Sequence, residues 1–420
     1  MPTSFILYIT LSCVYARQLV SVAAFMKLIL GIVVLAAWQA VCTVLGLPIW
    51  ACMIPLSTGL VWLGSYASLW MTEDAEKPMK DSDALKLPIV MGVVLVGLFV
   101  AIKMIQPQYI DLVVSLYVSL AAVICVASVV AVVGKEAGCV PDSIVRPIAT
   151  LPLVGEVSWL ELVGLVLGAA LTGAWYWTRH WALNNVLGAA LSIMTIGSLR
   201  MGTYRTAALV LVALLVYDAV MVFGTPFMVT VASKLKVPIK LLFPRPDAEL
   251  DAERPFSMLG LGDIVFPGLL VALLLRIDAH IALGDKVASL ARHSSFAAPR
   301  FLWTLVGYAA GLATTVIVMV VFQHAQPALI YLVPAVLIVS ALAITGTGKW
   351  RAALAFSDEL FETECEAGKE AAAASDEAAE STAKPAQADV PADDAQAEEA
   401  TTSPASSPAT ARRRRALAET

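Results

Sequence analysis

Runs of about 20 apolar residues recur along this chain, and no other feature constrains its fold as strongly. A bilayer core takes roughly 20 residues of helix per crossing. Nine segments reach that length: 48–71, 87–106, 109–133, 157–178, 181–198, 206–230, 258–277, 301–322 and 327–347. A tenth apolar stretch, about 20–46, lies upstream of them. Charged and turn residues break the runs at Glu73 to Asp83, Lys135 to Arg146, Arg200 to Arg205, Lys234 to Arg254 and Asp278 to Arg300. Inside lipid the backbone must satisfy its own hydrogen bonds, so every span is expected to be helical. Short alternating segments of the barrel kind are not found. A chain that is 59% hydrophobic and 15% charged lies outside the range of soluble globular domains. The expected fold class is therefore an all-α polytopic membrane protein of nine helices, with an extra N-terminal helix left open.

The flanking charges orient the bundle. With the start of the first of the nine spans placed outside the cytosol, ten Lys and Arg fall in cytosolic loops and six in the opposite ones. Lys349 and Arg351 after the last span agree with a cytosolic C-terminal tail. Three regions follow: 1–47, 48–350 and 351–420. Met26-Lys27 before an apolar run looks like an internal signal-peptide start. Residues 1–47 thus read as an extra helix, a cleaved segment or a start placed too far upstream. From about Ala352 the chain turns to Ala, Glu, Asp, Ser, Thr and Pro and ends near Arg412 to Arg415. That composition is expected to stay disordered. Six cysteines without CxxC or CxH spacing point to no disulfide framework and no metal site.

Ionisable groups deep in a span are expensive and mark function. Asp218 lies in LVLVALLVYDAVMVFGTPF and Asp263 in MLGLGDIVFPGLLVALLLRID. The two spans are consecutive, hence antiparallel. Arg205 precedes the first and Arg276 closes the second, at the same side of the membrane. Each aspartate stands thirteen residues from its arginine, about 20 Å deep at 1.5 Å per residue. Equal depth on neighbouring helices is what a carboxylate pair requires. Two close carboxyls do not both ionise cheaply, so one serves as acid and the other as base. Such a pair activates water while protonating a carbonyl oxygen. Gly260 and Gly262 would let a neighbouring helix or a substrate backbone come close and would loosen the helix locally. Close helix packing explains these two glycines equally well. Tyr217 is read as a hydrogen-bond donor near the site or as packing. Pro327, Ala328 and Leu329 open the last span, on the same side as the start of the Asp263 span. Asn184 and Asn185 read as hydrogen-bond glue between helices.

Val216-Tyr217-Asp218, Gly260-Leu261-Gly262-Asp263 and Gln326-Pro327-Ala328-Leu329 resemble the YD, GxGD and PAL motifs of presenilin-type aspartyl proteases. Surrounding phrases such as VFGTPFMVTVA, PIKLLFP, MLGLGDIVFPG and HAQPALIYLVPA are more similar to the signal peptide peptidase branch. The likeness runs from about residue 50 to 350. It implies a presenilin-like bundle with Asp218 and Asp263 catalytic, and a PAL turn at Pro327 to Leu329 supporting the pair and the substrate. It also implies an intramembrane endopeptidase of the endoplasmic reticulum acting on remnant signal peptides and type II-oriented spans. The expected partners are membrane-spanning peptides and the lipid bilayer. No nucleic acid, metal or cofactor is expected, and a homo-oligomer is left open. The rival readings are a proton- or cation-coupled transporter using Asp218 and Asp263, and a chaperone that binds spans without cutting them.

Overall fold

The computed structural model describes residues 31–42, 44–71, 77–136, 144, 147–151, 155–224, 238–245, 256–284, 296–322 and 327–359. Helix α1 (Gly31–Cys42) is short and apolar. It is followed by α2 (Ile49–Trp70), α3 (Asp81–Met104) and α4 (Pro107–Glu136). A small antiparallel hairpin, β1 (Pro147–Leu151) and β2 (Gly155–Ser158), leads into α5 (Trp159–Thr178), α6 (Trp181–Ser198) and α7 (Tyr204–Gly224). A second antiparallel hairpin, β3 (Lys240–Pro244) with β4 (Phe256–Gly260), precedes α8 (Gly262–Leu283). Helices α9 (Pro299–Phe322), α10 (Leu329–Gly346) and the one-turn-and-a-half α11 (Trp350–Ala355) complete the described chain.

All nine expected spans contain a long helix, and eight of those helices are apolar and long enough to cross a membrane among the described residues. The remaining one, α6, has 18 residues and carries the buried Asn184 and Asn185. It packs inside the bundle against α2, α4 and β3. Of the upstream stretch 20–46, residues 31–42 are helical, and α1 lies along α2 with Leu35 directly against Gly59. Residues 1–30 fall outside the described part.

Two expectations need correction. The span 258–277 is not helical throughout: residues 256–260 form β4, and the helix starts only at Gly262. The expectation that every span is helical therefore fails here, where β4 takes its backbone partners from β3 along one edge before the helix begins. The packed part of the chain also continues past residue 350. Phe356 and Asp358 are buried, at 5% and 0% exposure. The composition from Ala352 onward resembles a solvated tail, yet these two side chains seal the end of α8. Residues 360–420 lie outside the described part.

Local chemistry accounts for several boundaries. Ser158 and Glu161 form a capping box at the start of α5, the hydroxyl accepting from Glu161 N–H and the carboxylate from Ser158 N–H at 2.6 Å. Glu161 is thus a helix cap. Gly164 and Gly168, four apart, bring α5 close to α4: a Cβ on Gly164 would lie 2.7 Å from the Ala127 backbone. At the bundle's centre, 15 of the 22 residues of α8 are buried, whereas the Lys86–Met104 part of α3 is mostly open.

The far end of α8 is held by charge. Arg276, fully buried, donates from Nε to Asp358 at 3.0 Å and from a terminal nitrogen to Ser68 at 3.0 Å. Arg200 lies 4.0 Å from the same carboxylate, and Asp358 N–H donates to Gly202 carbonyl at 2.9 Å. Arg205, at the start of α7, pairs with Asp81 at this end too. Arg205 and Arg276 therefore do share one side of the bundle, as the depth argument required.

Candidate active site

Four pieces of chain converge on the two aspartates: the middle of α7, the start of α8, the start of α10 and the β3–β4 hairpin. Asp218 lies about four turns into α7 and is 6% exposed. Its Oδ2 accepts a hydrogen bond from Leu329 N–H at 3.3 Å. That donor is available because α10 starts there without a side-chain cap on its first turn. The N-terminal end of a helix also favours a carboxylate electrostatically. Pro327 has no N–H of its own, and its carbonyl accepts from Ile330 N–H at 3.3 Å. Ala328 carbonyl accepts from Leu332 N–H at 3.1 Å and, more weakly, from the Thr315 hydroxyl at 3.5 Å. The PAL turn thus reaches the site through backbone.

Asp263 occupies the first turn of α8, where the same dipole argument applies. Pro267 stands four residues further on, so the Asp263 carbonyl lacks its usual helical donor and this turn is locally loosened. The Asp218 carboxylate lies close enough to act electrostatically on Asp263. Tyr308 on α9, fully buried, also feels the charge of Asp263, and its hydroxyl faces the Ser57 side chain. Sequence reasoning missed Tyr308, although a tyrosine in mid-span was a visible signal.

The glycines act differently from expectation. Gly260 ends β4, and a Cβ there would stand 3.4 Å from Asp263 Oδ2. Its missing side chain leaves the carboxyl uncovered. Gly262 begins α8, where a Cβ would make ordinary contact with the Phe266 ring at 3.6 Å. Gly260 loosens no helix, because it is not in one. Tyr217 turns its ring toward α3, over Gly92. It stands next to Asp218 in sequence but lies against a different neighbour.

Asn184 and Asn185 are not glue between helices. Asn185 donates from its side-chain amide to Leu242 carbonyl at 2.8 Å and accepts from Leu242 N–H at 2.8 Å. Asn184 donates to Lys240 carbonyl at 2.7 Å. The two asparagines imitate a third strand along the free side of β3. Its other side pairs with β4, with Leu241 opposite Leu259 and Phe243 opposite Ser257. Since Lys240 and Leu242 bond outward to the asparagines, the alternation of an antiparallel ladder turns Met258 and Gly260 outward on β4. Met258 is 55% exposed, and among the described residues β4 has β3 as its sole strand neighbour. An open strand edge therefore runs directly up to Asp263.

Comparison with known proteins places the chain. The profile described as signal peptide peptidase matches residues 71–357, more than half of the sequence and all of the motifs above. The chain belongs to the signal peptide peptidase family. It is 34% identical over 274 residues to the signal peptide peptidase of Homo sapiens, covering 62% of this chain and 69% of that one. Identity to a probable intramembrane protease of Schizosaccharomyces pombe is 33% over 283 residues, covering 67% and 85%. A solved presenilin family intramembrane aspartate protease aligns at 18% identity and TM-score 0.44, over 70% of this chain and 97% of that chain, too distant to argue from. This member of the signal peptide peptidase family is a multi-pass membrane protein and an intramembrane protease. Nothing in these matches favours a transporter. Among the described residues no three His, Cys, Asp or Glu side chains cluster as metal ligands would.

Proposed function

We propose that Asp218 and Asp263 are the catalytic pair, and that the chain hydrolyses peptide bonds inside membrane-spanning helices. The observation that carries this reading is the meeting of two span-borne carboxyls on α7 and α8. One is held by Leu329 N–H and the other lies beside the bare α-carbon of Gly260. The ionised carboxyl removes a proton from water as it attacks the scissile carbonyl, and the protonated one donates to the carbonyl oxygen. Collapse of the tetrahedral intermediate expels the amine, which takes up a proton, leaving a new carboxyl end. The pair shares one proton throughout, so its titration belongs to both residues together.

A helical substrate shields its peptide bonds, so local unwinding must come first. Unwound backbone in hydrocarbon needs new partners, at several kcal/mol for each missing one. The outward groups of Met258 and Gly260 offer them by strand addition beside Asp263. Pro327, Ala328 and Leu329 bound the opposite wall, and Tyr217 stiffens α7 against α3. The substrates we propose are remnant signal peptides and other type II-oriented spans. The location we propose is the endoplasmic reticulum membrane with the tail in the cytosol. Residues 48–350 together with the short segment to Glu359 would form the protease domain.

The test is cleavage of a model span by the purified protein in detergent. Asp218→Ala and Asp263→Ala should each reduce it to background while the protein still inserts into membranes. Appreciable cleavage by either variant rejects the pair. Model spans carrying Gly, Pro, Ser or Asn near the scissile bond should be cut faster than all-Leu spans of equal length. Equal rates would remove unwinding from the account.

A further inference from the structure

Two thiols meet where α1 ends and α2 begins. Cys42 closes α1 and Cys52 lies in the first turn of α2, at 2% and 7% exposure. The Cys42 thiol donates to Ala51 carbonyl at 3.9 Å and the Cys52 thiol to Leu47 carbonyl at 4.0 Å. The two thiols also face each other directly. Contacts this long are weak even for sulfur, so little is lost when the thiol hydrogens leave.

The pair is ten positions apart and carries no CxxC or CxH signature. A chain reversal makes it. Gly46 adopts a left-handed φ of 58°, and Leu47 N–H returns to Cys42 carbonyl at 3.0 Å. The Trp38 indole donates across the turn to Ala51 carbonyl at 2.9 Å. Backbone on both sides is therefore already held, and joining the sulfurs asks for little movement of it. Cys125 shows the ordinary alternative, a buried thiol packed among apolar side chains of α4, α5 and α6.

A cavity of about 80 Å³ gives access to both sulfurs. Besides the two cysteines, Leu47, Phe243, Pro244 and Arg245 line it. Arg245 is fixed there by its Nε, which donates to the Ser257 hydroxyl at 3.1 Å. A guanidinium at this place favours the thiolate, the form that reacts.

We propose that Cys42 and Cys52 form a disulfide that staples α1 to the bundle. The co-reactant is a soluble disulfide of the glutathione class. One cysteine thiolate attacks it, forms a mixed disulfide and expels one soluble thiolate. The second cysteine then attacks the protein sulfur of the mixed disulfide and expels the other. Two protein thiols and one soluble disulfide thus become one protein disulfide and two soluble thiols, two electrons passing to the soluble partner. The inference rests on the orientation proposed above, which puts the start of α2 away from the cytosol, where disulfides persist. Helix α1 is too short to cross a bilayer by itself, and the staple ties its end to a helix that does cross.

The experiment alkylates membranes at lysis, before any thiol is oxidised in handling, and digests the full-length protein with chymotrypsin. The enzyme cuts after Leu45 and Trp50, between the two cysteines. Mass spectrometry should then find the Cys42 and Cys52 peptides joined, and separate after reduction. Both cysteines alkylated before reduction would overturn the proposal, and so would either one joined to another cysteine of the chain. Protease added to sealed membranes reports the orientation independently. A tail that is digested while both thiols are free refutes the disulfide alone, and a tail that is protected refutes the orientation and the proposal with it. A cross-link closing this loop restrains the unfolded chain, so a phosphine reductant should lower the melting temperature of the protein in detergent. Cys42→Ala combined with Cys52→Ala should remove that response, whereas Cys125→Ala should keep it. An equal response to reductant in the double variant would overturn the staple.

Discussion

Asp263 begins a helix that the rest of the protein surrounds, with 15 of its 22 residues buried, whereas Asp218 sits mid-way along a helix with 6 of 21 buried. The two carboxyls meet at one place but belong to different regions. Helix α8 is fixed at both ends, by β4 before it and by Arg276 on Asp358 after it. Helix α7 turns Val212, Val216, Val220 and Phe223 outward, and its aspartate is held by the PAL turn. A site built this way has one aspartate on a core helix and the other on a helix that faces lipid, although the Asp218 side chain itself is buried.

The largest expected effect tests whether this asymmetry extends to the chemistry. Asp218→Ala and Asp263→Ala should each lower cleavage by about 10³-fold or more, because members of one catalytic unit fail together. Unequal losses would mean that the core-anchored residue works partly alone. Next comes the anchor of α8. Asp358→Ala leaves two buried guanidiniums without their shared carboxylate, which should destabilise the protein by about 3–5 kcal/mol, read as a lowered melting temperature in detergent. A chain cut after Ala355 should show the same loss, and one cut after Glu359 should not. If both truncations melted like the intact chain, α8 would not depend on this strap.

Smaller effects sharpen the contrast between the helices themselves. Leu270→Ala, at a fully buried position of α8, should cost about 2–5 kcal/mol. Val216→Ala, 54% exposed on α7, should stay within about 1 kcal/mol. Similar melting shifts for the two would erase the distinction between core and boundary. Asn185→Leu leaves Leu242 N–H and C=O unpaired and should cost about 1–3 kcal/mol, between those two. Its effect should appear mainly as slower cleavage, since it frays the hairpin whose outer strand leads to Asp263. Unchanged cleavage would separate the hairpin from substrate handling.

Much of this protein is readable from local pattern. The spans are legible because lipid demands long apolar helices, and each needs only its own residues to be recognised. Asp218 and Asp263 stand out because a carboxyl surrounded by apolar neighbours is rare in any sequence. The β4 strand was not legible: FSMLG carries no strong alternation and runs straight into an apolar helix. Phe356 and Asp358 were hidden for the same reason, within a segment whose composition looks like a solvated tail.

The sequence by itself determined the class of protein, the order of its helices, and the equal depth of two aspartates, since helical rise converts residue spacing directly into distance. Only the tertiary structure decided what touches them. Asn185 meets Leu242 across 57 positions, Leu329 meets Asp218 across 111, and Arg276 meets Ser68 across 208. Contacts at such separations depend on how the helices pack around α8, which no local pattern records. The outward groups of β4 follow from the same packing, because the asparagines on the other side of β3 fix which of its backbone groups face β4.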